Sequence, residues 1–286
     1  MEDESRRMHE EWLQEMLADP GIPLWEDGST PDFDRTLGQP EPSLVPFLID
    51  SENAALILVC AGGGFAIKAP HEGRVIARWL NDIGIAAAVL DYRLEPYGFP
   101  TTARDASRAI RFTRSKAHEW KIDPDRIGII GFSAGGALAA TVATQYDGGN
   151  ADDGDLVERY SSRPNAQILC YPYVPVSADP LGFAKDAEGQ AFMEDASGRE
   201  SKGHCAADLN VTAETAPAFL WGTRDDFLAA TWPPYLTALA EHEVPYEYHL
   251  FGSGPHGMGL AESHESARHW PTLCASWLTE IGFRNG

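Results

Sequence analysis

Beyond residue 54 the chain alternates short apolar runs with longer mixed stretches. The runs fall at 56–60, 86–90, 127–130, 167–171, 218–221 and 246–251, and most are hydrophobic at nearly every position. A strand with one wet face would alternate apolar with polar residues, so continuous runs predict strands buried on both faces of a parallel sheet. Between the first two runs Val75, Ile76, Trp79, Leu80 and Ile83 recur at helical spacing, and Gly84 is placed to end that helix. Between the second and third, Ala106, Ala109, Ile110, Thr113 and Ala117 form one face. Arg104, Arg108, Arg111 and Arg114 lie elsewhere and read as a solvated basic face. Strand, helix and strand repeated in this order predict an α/β chain, with a mostly parallel, doubly wound sheet and helices on both faces.

Two stretches break the rhythm. Residues 1–19 read as a polar, acidic helix whose apolar stripe is Trp12, Leu13, Met16 and Leu17, and six prolines between 20 and 46 predict an extended arm or loop. Residues 174–215 make a connection rich in Gly, Asp, Ala and Glu, and connections longer than about 15 residues commonly serve as lids. The expected organisation is a single domain over 1–286. Residues 1–46 are its N-terminal helix and arm, placed to cover the same site as the cap or lid inserted at 174–215.

Composition narrows the partners. The 22 basic against 43 acidic side chains give a formal charge of −21 and a pI near 4.7. A phosphate backbone or an anionic membrane would be repelled, so neither a nucleic acid nor a membrane is expected as a partner. Cys60, Cys170, Cys205 and Cys274 are far apart without C-x-x-C spacing, which argues for reduced thiols rather than a zinc ribbon or a disulfide scaffold. The first residues lack the basic-then-apolar order of a signal peptide. The longest run free of polar side chains, 54–67, is too short to span a bilayer and holds three glycines. A cytoplasmic protein is the expectation.

The chemistry concentrates at the ends of the predicted strands. Gly131-Phe132-Ser133-Ala134-Gly135 follows the run 127–130 directly and leads into a small-residue helix. In such a G-x-S-x-G turn the chain reverses so sharply that the residues two before and two after the serine must lack side chains, and the hydroxyl projects outward. The run 56–60 ends in Gly62-Gly63-Gly64-Phe65. No Lys-Ser/Thr follows as in a phosphate-binding loop, so flexible backbone aiming N–H groups at an oxyanion is the better account. The amides of Gly63, Gly64 and Ala134 are the candidates. A nucleophilic serine needs a base and an orienting carboxylate. Of nine histidines only His256 combines a strand end with a small-residue loop, Ser253-Gly-Pro-His-Gly-Met-Gly259. After the preceding strand stand Asp225 and Asp226, one to orient His256 and the other to cap a helix or face water. The order Ser, Asp, His is that of one class of triad enzyme.

With these residues in place the chain resembles the α/β-hydrolase superfamily, and within it small carboxylesterases of the acetylxylan-esterase-like and feruloyl-esterase-like branch. The resemblance rests on Val59-Cys-Ala-Gly-Gly-Gly-Phe65, Ala69-Pro-His-Glu-Gly73, Ala88-Val-Leu-Asp-Tyr-Arg-Leu-Glu-Pro96 and Ile122-Asp-Pro-Asp-Arg-Ile-Gly128. It continues through Gly131-Phe-Ser-Ala-Gly-Gly136, Ser161-Ser-Arg-Pro164, Pro217-Ala-Phe-Leu-Trp221 and Gly254-Pro-His-Gly257. It implies an α/β-hydrolase fold with Ser133 as nucleophile, His256 as base and the glycine turn as oxyanion hole. Family members carry a small apolar residue two positions after the acid, and Leu228 stands in that relation to Asp226, so the resemblance favours Asp226 over Asp225 as the acid. Ala61 stands where relatives carry Pro or His, Gly222 where many carry His, and 175–213 follows no family pattern.

The expected function is a serine carboxylesterase acting on short-chain, acetyl-like esters of neutral alcohols or sugars, with no metal and no organic cofactor. Phe65 is expected to contact substrate. A thioesterase, lactonase, peptidase or amidase would use the same triad, and a non-catalytic binding protein would have lost Ser or His.

Overall fold

The computed structural model describes residues 2–26, 28–178, 180–182 and 206–284. One eight-stranded sheet organises them: β1 (Ile22–Pro23), β2 (Ser43–Phe47), β3 (Ala54–Cys60), β4 (Ala86–Asp91), β5 (Ile122–Phe132), β6 (Ala166–Cys170), β7 (Ala218–Thr223) and β8 (Tyr246–Phe251). The helices are α1 (Glu2–Ala18), α2 (Arg74–Asp82), α3 (Phe99–Ser115), α4 (Ala117–Trp120), α5 (Ala134–Thr144), α6 (Trp232–Glu241) and α7 (Trp270–Glu280). Across the sheet the order is β1-β2-β4-β3-β5-β6-β7-β8. The pairings β1–β2 and β2–β4 are antiparallel, and all others are parallel.

All six predicted runs are strands. In β3, β4, β6 and β7 every residue is buried. Successive side chains point to opposite faces, so both faces of the sheet are covered. β8 is the edge strand, and Tyr246 and Leu250 remain exposed there. Helix α2 ends where the pattern placed its end, with Gly84 at φ +82°.

The arm expected over 20–46 is partly sheet. β2 pairs with β4 from Ser43 opposite Asp91 to Phe47 opposite Ala87, and β1 covers only Ser43 and Leu44. Proline masked this strand in the sequence. Pro46 lies beyond the two-residue β1, where the outer side of β2 needs no N–H donor.

The basic face of α3 is not solvated. Arg108 and Arg111 are only 4% and 6% exposed. Arg108 pairs with Asp155 at 2.7 Å and Glu158 at 2.8 Å, and Arg111 with Asp147 at 2.5 Å and Glu158 at 3.1 Å. The hydrogen bond from Arg111 holds the Asp147 carboxyl below the usual carboxylate range. Arg114 donates to the carbonyls of Ser161 and Arg163, and its burial pushes the guanidinium down to about 10. Only Arg104 keeps a largely exposed pair, with Asp32. The row clamps the 147–165 connection onto α3.

Helix α1 is anchored by Trp12, and Arg74 holds its C-terminal end by donating to Glu15 O at 3.1 Å and pairing with Asp19 at 2.6 Å. Trp12 is 2% exposed, donates from Nε1 to Asp91 at 3.0 Å, and lies so close to Gly73 that a Cβ there would meet its ring at 2.5 Å. Lys68 pairs with Asp91 at 2.6 Å and sits over the Trp12 and Tyr92 rings. Trp12→Ala is therefore expected to lower stability by about 3–5 kcal/mol, the usual cost of emptying a buried tryptophan site, as read by urea unfolding. A change below about 1 kcal/mol would show that α1 does not depend on this anchor.

Residues 183–205, the middle of the expected cap, lie outside the described residues, as does Cys205. The two ends of the 174–215 segment are tied together. Ala207 N–H donates to Pro175 O at 2.7 Å, and the Ser177 amide and hydroxyl both donate to Asp208.

Candidate active site

β5 runs into α5 through one residue. Ser133 sits between them at φ +50°, ψ −115°, a conformation that costs a non-glycine residue on the order of 1–3 kcal/mol. The flanking glycines make this turn possible. A Cβ on Gly131 would lie 2.0 Å from Gly135 O, and one on Gly135 would lie 2.1 Å from Cys60 O. The N-terminus of α5, with its partial positive charge, lies immediately after the hydroxyl-bearing residue.

His256 follows β8 and reaches both partners. Its Nε2 is 2.8 Å from Ser133 Oγ and its Nδ1 is 2.8 Å from Asp226 Oδ2. A carboxylate can only accept, so Nδ1–H donates to Asp226 and Nε2 is left to accept from the Ser133 hydroxyl. Asp226 is itself fixed: its side chain is 1% exposed and Oδ1 accepts the Leu228 N–H at 2.9 Å. Asp225 points elsewhere, pairing with Arg224 at 2.8 Å on the surface. The fold thus separates two adjacent carboxylates, with Asp226, the one the resemblance favours, on His256 and Asp225 on Arg224.

The glycine turn after β3 packs directly on this centre. A Cβ on Gly62 would meet Phe132 O at 2.7 Å and Ser133 Cβ at 2.9 Å, so only glycine permits the approach. The Gly62 amide is taken by Glu72 Oε2 at 2.7 Å. The amides of Gly63, Gly64 and Ala134 make no hydrogen bond among the described residues, and Gly63 and Gly64 lie at φ +129° and +63°. Three unspent donors therefore lie in the Ser133 turn and in the glycine turn whose first residue packs on it.

A family model described as the alpha/beta hydrolase fold matches residues 57–260. The chain belongs to the α/β-hydrolase family. A solved acetyl ester-xyloside bifunctional hydrolase from Caldicellulosiruptor lactoaceticus is 39% identical, over 93% of this chain and 97% of that one, with a TM-score of 0.84. An acetylxylan esterase from Xylanibacter ruminicola is 36% identical over 133 residues, which cover 46% of this chain and 25% of that protein. Endo-1,4-beta-xylanase B from Butyrivibrio fibrisolvens is 28% identical over 228 residues, covering 77% of this chain and 35% of that protein. The chain thus spans about a quarter to a third of the length of these two curated relatives.

Gly222 and Ala61, the two positions where the family resemblance implies other residues, are both tightly enclosed. Gly222 admits no side chain, because a Cβ there would lie 2.1 Å from the Trp232 ring. Trp232 is 1% exposed and donates to Pro172 O at 2.7 Å. Ala61 is wholly buried, with its carbonyl accepting the Tyr92 hydroxyl at 2.6 Å. The Phe65 ring, expected to contact substrate, is 4% exposed and meets Phe99 edge-on at 5.5 Å. The aromatic ring with free surface beside His256 is Phe227, 59% exposed at a centroid distance of 4.8 Å. Sequence reasoning passed over Phe227, although it directly follows Asp226, and also Glu72 and Tyr171. Cys60, Cys170 and Cys274 are buried and unpaired, and burial pushes each thiol upward, so none offers a thiolate. Among the described residues no group of three or more His, Cys, Asp or Glu is placed to hold a metal ion.

Proposed function

We propose that the chain is a serine carboxylesterase that hydrolyses short-chain, acetyl-like esters of neutral alcohols or sugars. The observation that carries this reading is His256 bridging Ser133 and Asp226 at 2.8 Å on each side. His256 Nε2 takes the Ser133 proton as Oγ attacks the ester carbonyl, and the amides of Gly63, Gly64 and Ala134 hold the oxyanion that forms. Collapse expels the alcohol, which leaves with the proton from His256. Water then gives a proton to His256 and attacks the acyl group, releasing the acid and restoring Ser133. Asp226 stays ionised throughout and stabilises the imidazolium.

The names of the relatives support an acyl ester as substrate, since they include an acetylxylan esterase and an acetyl ester-xyloside hydrolase. The charge of −21 favours neutral over polyanionic esters and weighs against nucleic-acid partners. One domain spans 1–286, in which 1–46 is a helix and an arm that joins the sheet through β1 and β2 and 174–215 is an inserted cap. Its setting is cytoplasmic. In its support, Cys60, Cys170 and Cys274 are unpaired; separately, no helix among the described residues is long and apolar enough to cross a membrane.

A p-nitrophenyl alkylphosphonate should release one p-nitrophenolate per chain and leave the phosphonyl group on the peptide that carries Ser133, by mass spectrometry. Steady-state rates on p-nitrophenyl acyl esters, acetylated xylo-oligosaccharides, thioesters and lactones should favour acetyl oxygen esters. Phosphonylation at another residue, or faster turnover of the thioesters or lactones, would overturn the reading.

A further inference from the structure

The two loops that must cooperate in this reaction come from distant parts of the sheet. The glycine turn leaves β3 and the His256 loop leaves β8, with β5, β6 and β7 between them. Four strand spacings of about 4.8 Å make roughly 19 Å between those two strands, so no backbone ladder sets one loop against the other. Something above the sheet must.

The side chains that bridge them are Glu72 and Tyr171. Glu72 ends a short turn, Pro70–Glu72, and is 2% exposed. Its Oε2 accepts the Gly62 N–H at 2.7 Å, and its Oε1 accepts the Tyr171 hydroxyl at 2.6 Å. The same Tyr171 oxygen accepts the Gly259 N–H at 2.7 Å, and the Tyr171 ring meets the His256 ring edge-on at 5.1 Å. His71, the neighbour of Glu72, bonds through Nε2 to Gly257 O at 3.0 Å. One continuous path therefore runs from the oxyanion turn to the histidine loop: Gly62 N–H to Glu72, Tyr171 O–H to Glu72, Gly259 N–H to Tyr171.

The tyrosine keeps its proton. Burial first, and the Glu72 carboxylate beside it second, push its hydroxyl well above the ordinary tyrosine value, so it remains a donor to Glu72. An apolar pair of the same size would fill this space without the cost of burying a carboxylate, so the pair is poorly explained by stability alone. Nor does Glu72 face the reacting atoms through a free oxygen, since each oxygen already accepts a short bond.

We propose that Glu72 and Tyr171 are positioning residues, a buried hydrogen-bonded pair that aligns the Gly62–Gly64 turn with the His256 loop so that oxyanion binding and proton transfer act on one carbonyl. The inference rests on the esterase reading. It assigns the pair no contact with substrate. A misplacement of about 1 Å in a reacting constellation can cost about 100-fold in rate, so removing one link should show in kcat rather than in KM.

The test compares wild type, Ser133→Ala, Glu72→Gln, Tyr171→Phe and the Glu72→Gln/Tyr171→Phe double variant on p-nitrophenyl acetate. Active sites are titrated with a p-nitrophenyl alkylphosphonate, and kcat is expressed per titrated site. Glu72→Gln should lose about 10-fold and Tyr171→Phe about 10- to 100-fold in kcat, with KM within about threefold of wild type. The double variant should be no slower than about the slower single one, because both break one path. Glu72→Ala should fall below Glu72→Gln, whose amide oxygen can still accept from Gly62. If kcat per titrated site stayed within about twofold of wild type in both single variants, the pair would have no positioning role. The positioning role is equally lost if the whole effect lies in KM, or if both isosteric variants fail to give titratable protein, since the role would then be binding or folding. Wild type no faster than Ser133→Ala would take down the esterase reading and this inference with it. An active wild type with unaffected variants would overturn the inference alone.

Discussion

Ser133→Ala should lower kcat on p-nitrophenyl acetate by about 10⁶-fold, with KM changed little, the scale on which triad hydrolases lose rate when the nucleophile is removed. At 1.36 kcal/mol per tenfold this is about 8 kcal/mol of transition-state stabilisation. The variant should fold normally. Alanine keeps the Cβ of Ser133, which already packs beside Gly62, and the strained turn is set by Gly131 and Gly135, not by the hydroxyl. The rate should not fall to that of the uncatalysed reaction. The amides of Gly63, Gly64 and Ala134 are still in place, and an intact oxyanion hole and binding site leave roughly 10³- to 10⁴-fold over water in such enzymes. Equal turnover by Ser133→Ala and wild type would remove Ser133 from the mechanism. A wild-type-like rate of phosphonylation in Ser133→Ala would do the same by an independent route.

The parts of this fold legible in the sequence are those whose surroundings are uniform. β3, β4, β6 and β7 are buried along their whole length, so an unbroken apolar run is enough to find them. The Ser133 turn was legible for a related reason, because the steric demands at Gly131 and Gly135 admit no other residue. β2 was not, since Pro46 and the prolines before it resemble those of a loop until the place of Pro46 beyond β1 is known. Arg108 and Arg111 of α3 read as solvated because Glu158 and Asp147 stand 50 and 36 residues downstream of them, where helical periodicity has no view of them. Glu72 is hidden in the same way. It lies in a stretch that carried the family resemblance, yet nothing local marks it as buried, and its partner Tyr171 is 99 residues away. Spacing along the chain finds residues that a turn or strand must have. It misses residues whose role is to hold two distant loops together.

Asp226→Asn should lower kcat by about 10⁴-fold, the cost of the same change at the orienting acid of other triads, while Asp225→Asn should leave it within about twofold. The first loss turns on which way the new amide faces. The Leu228 N–H donates to Oδ1 at 2.9 Å, so the asparagine must place its carbonyl oxygen there and its NH₂ group where Oδ2 now meets His256. An NH₂ facing Nδ1 forces that nitrogen to accept. The imidazole proton then moves to Nε2, and the histidine can no longer take the Ser133 proton. Asp225 has no such path. Its carboxylate pairs with Arg224 at the surface, where ion pairs contribute little, so stability should also stay within about 0.5 kcal/mol of wild type. Because the loss in Asp226→Asn comes from the tautomer, raising the pH should recover part of the rate, as hydroxide supplies the base that His256 no longer provides. Equal, mild losses in the two variants would mean that neither carboxylate orients His256.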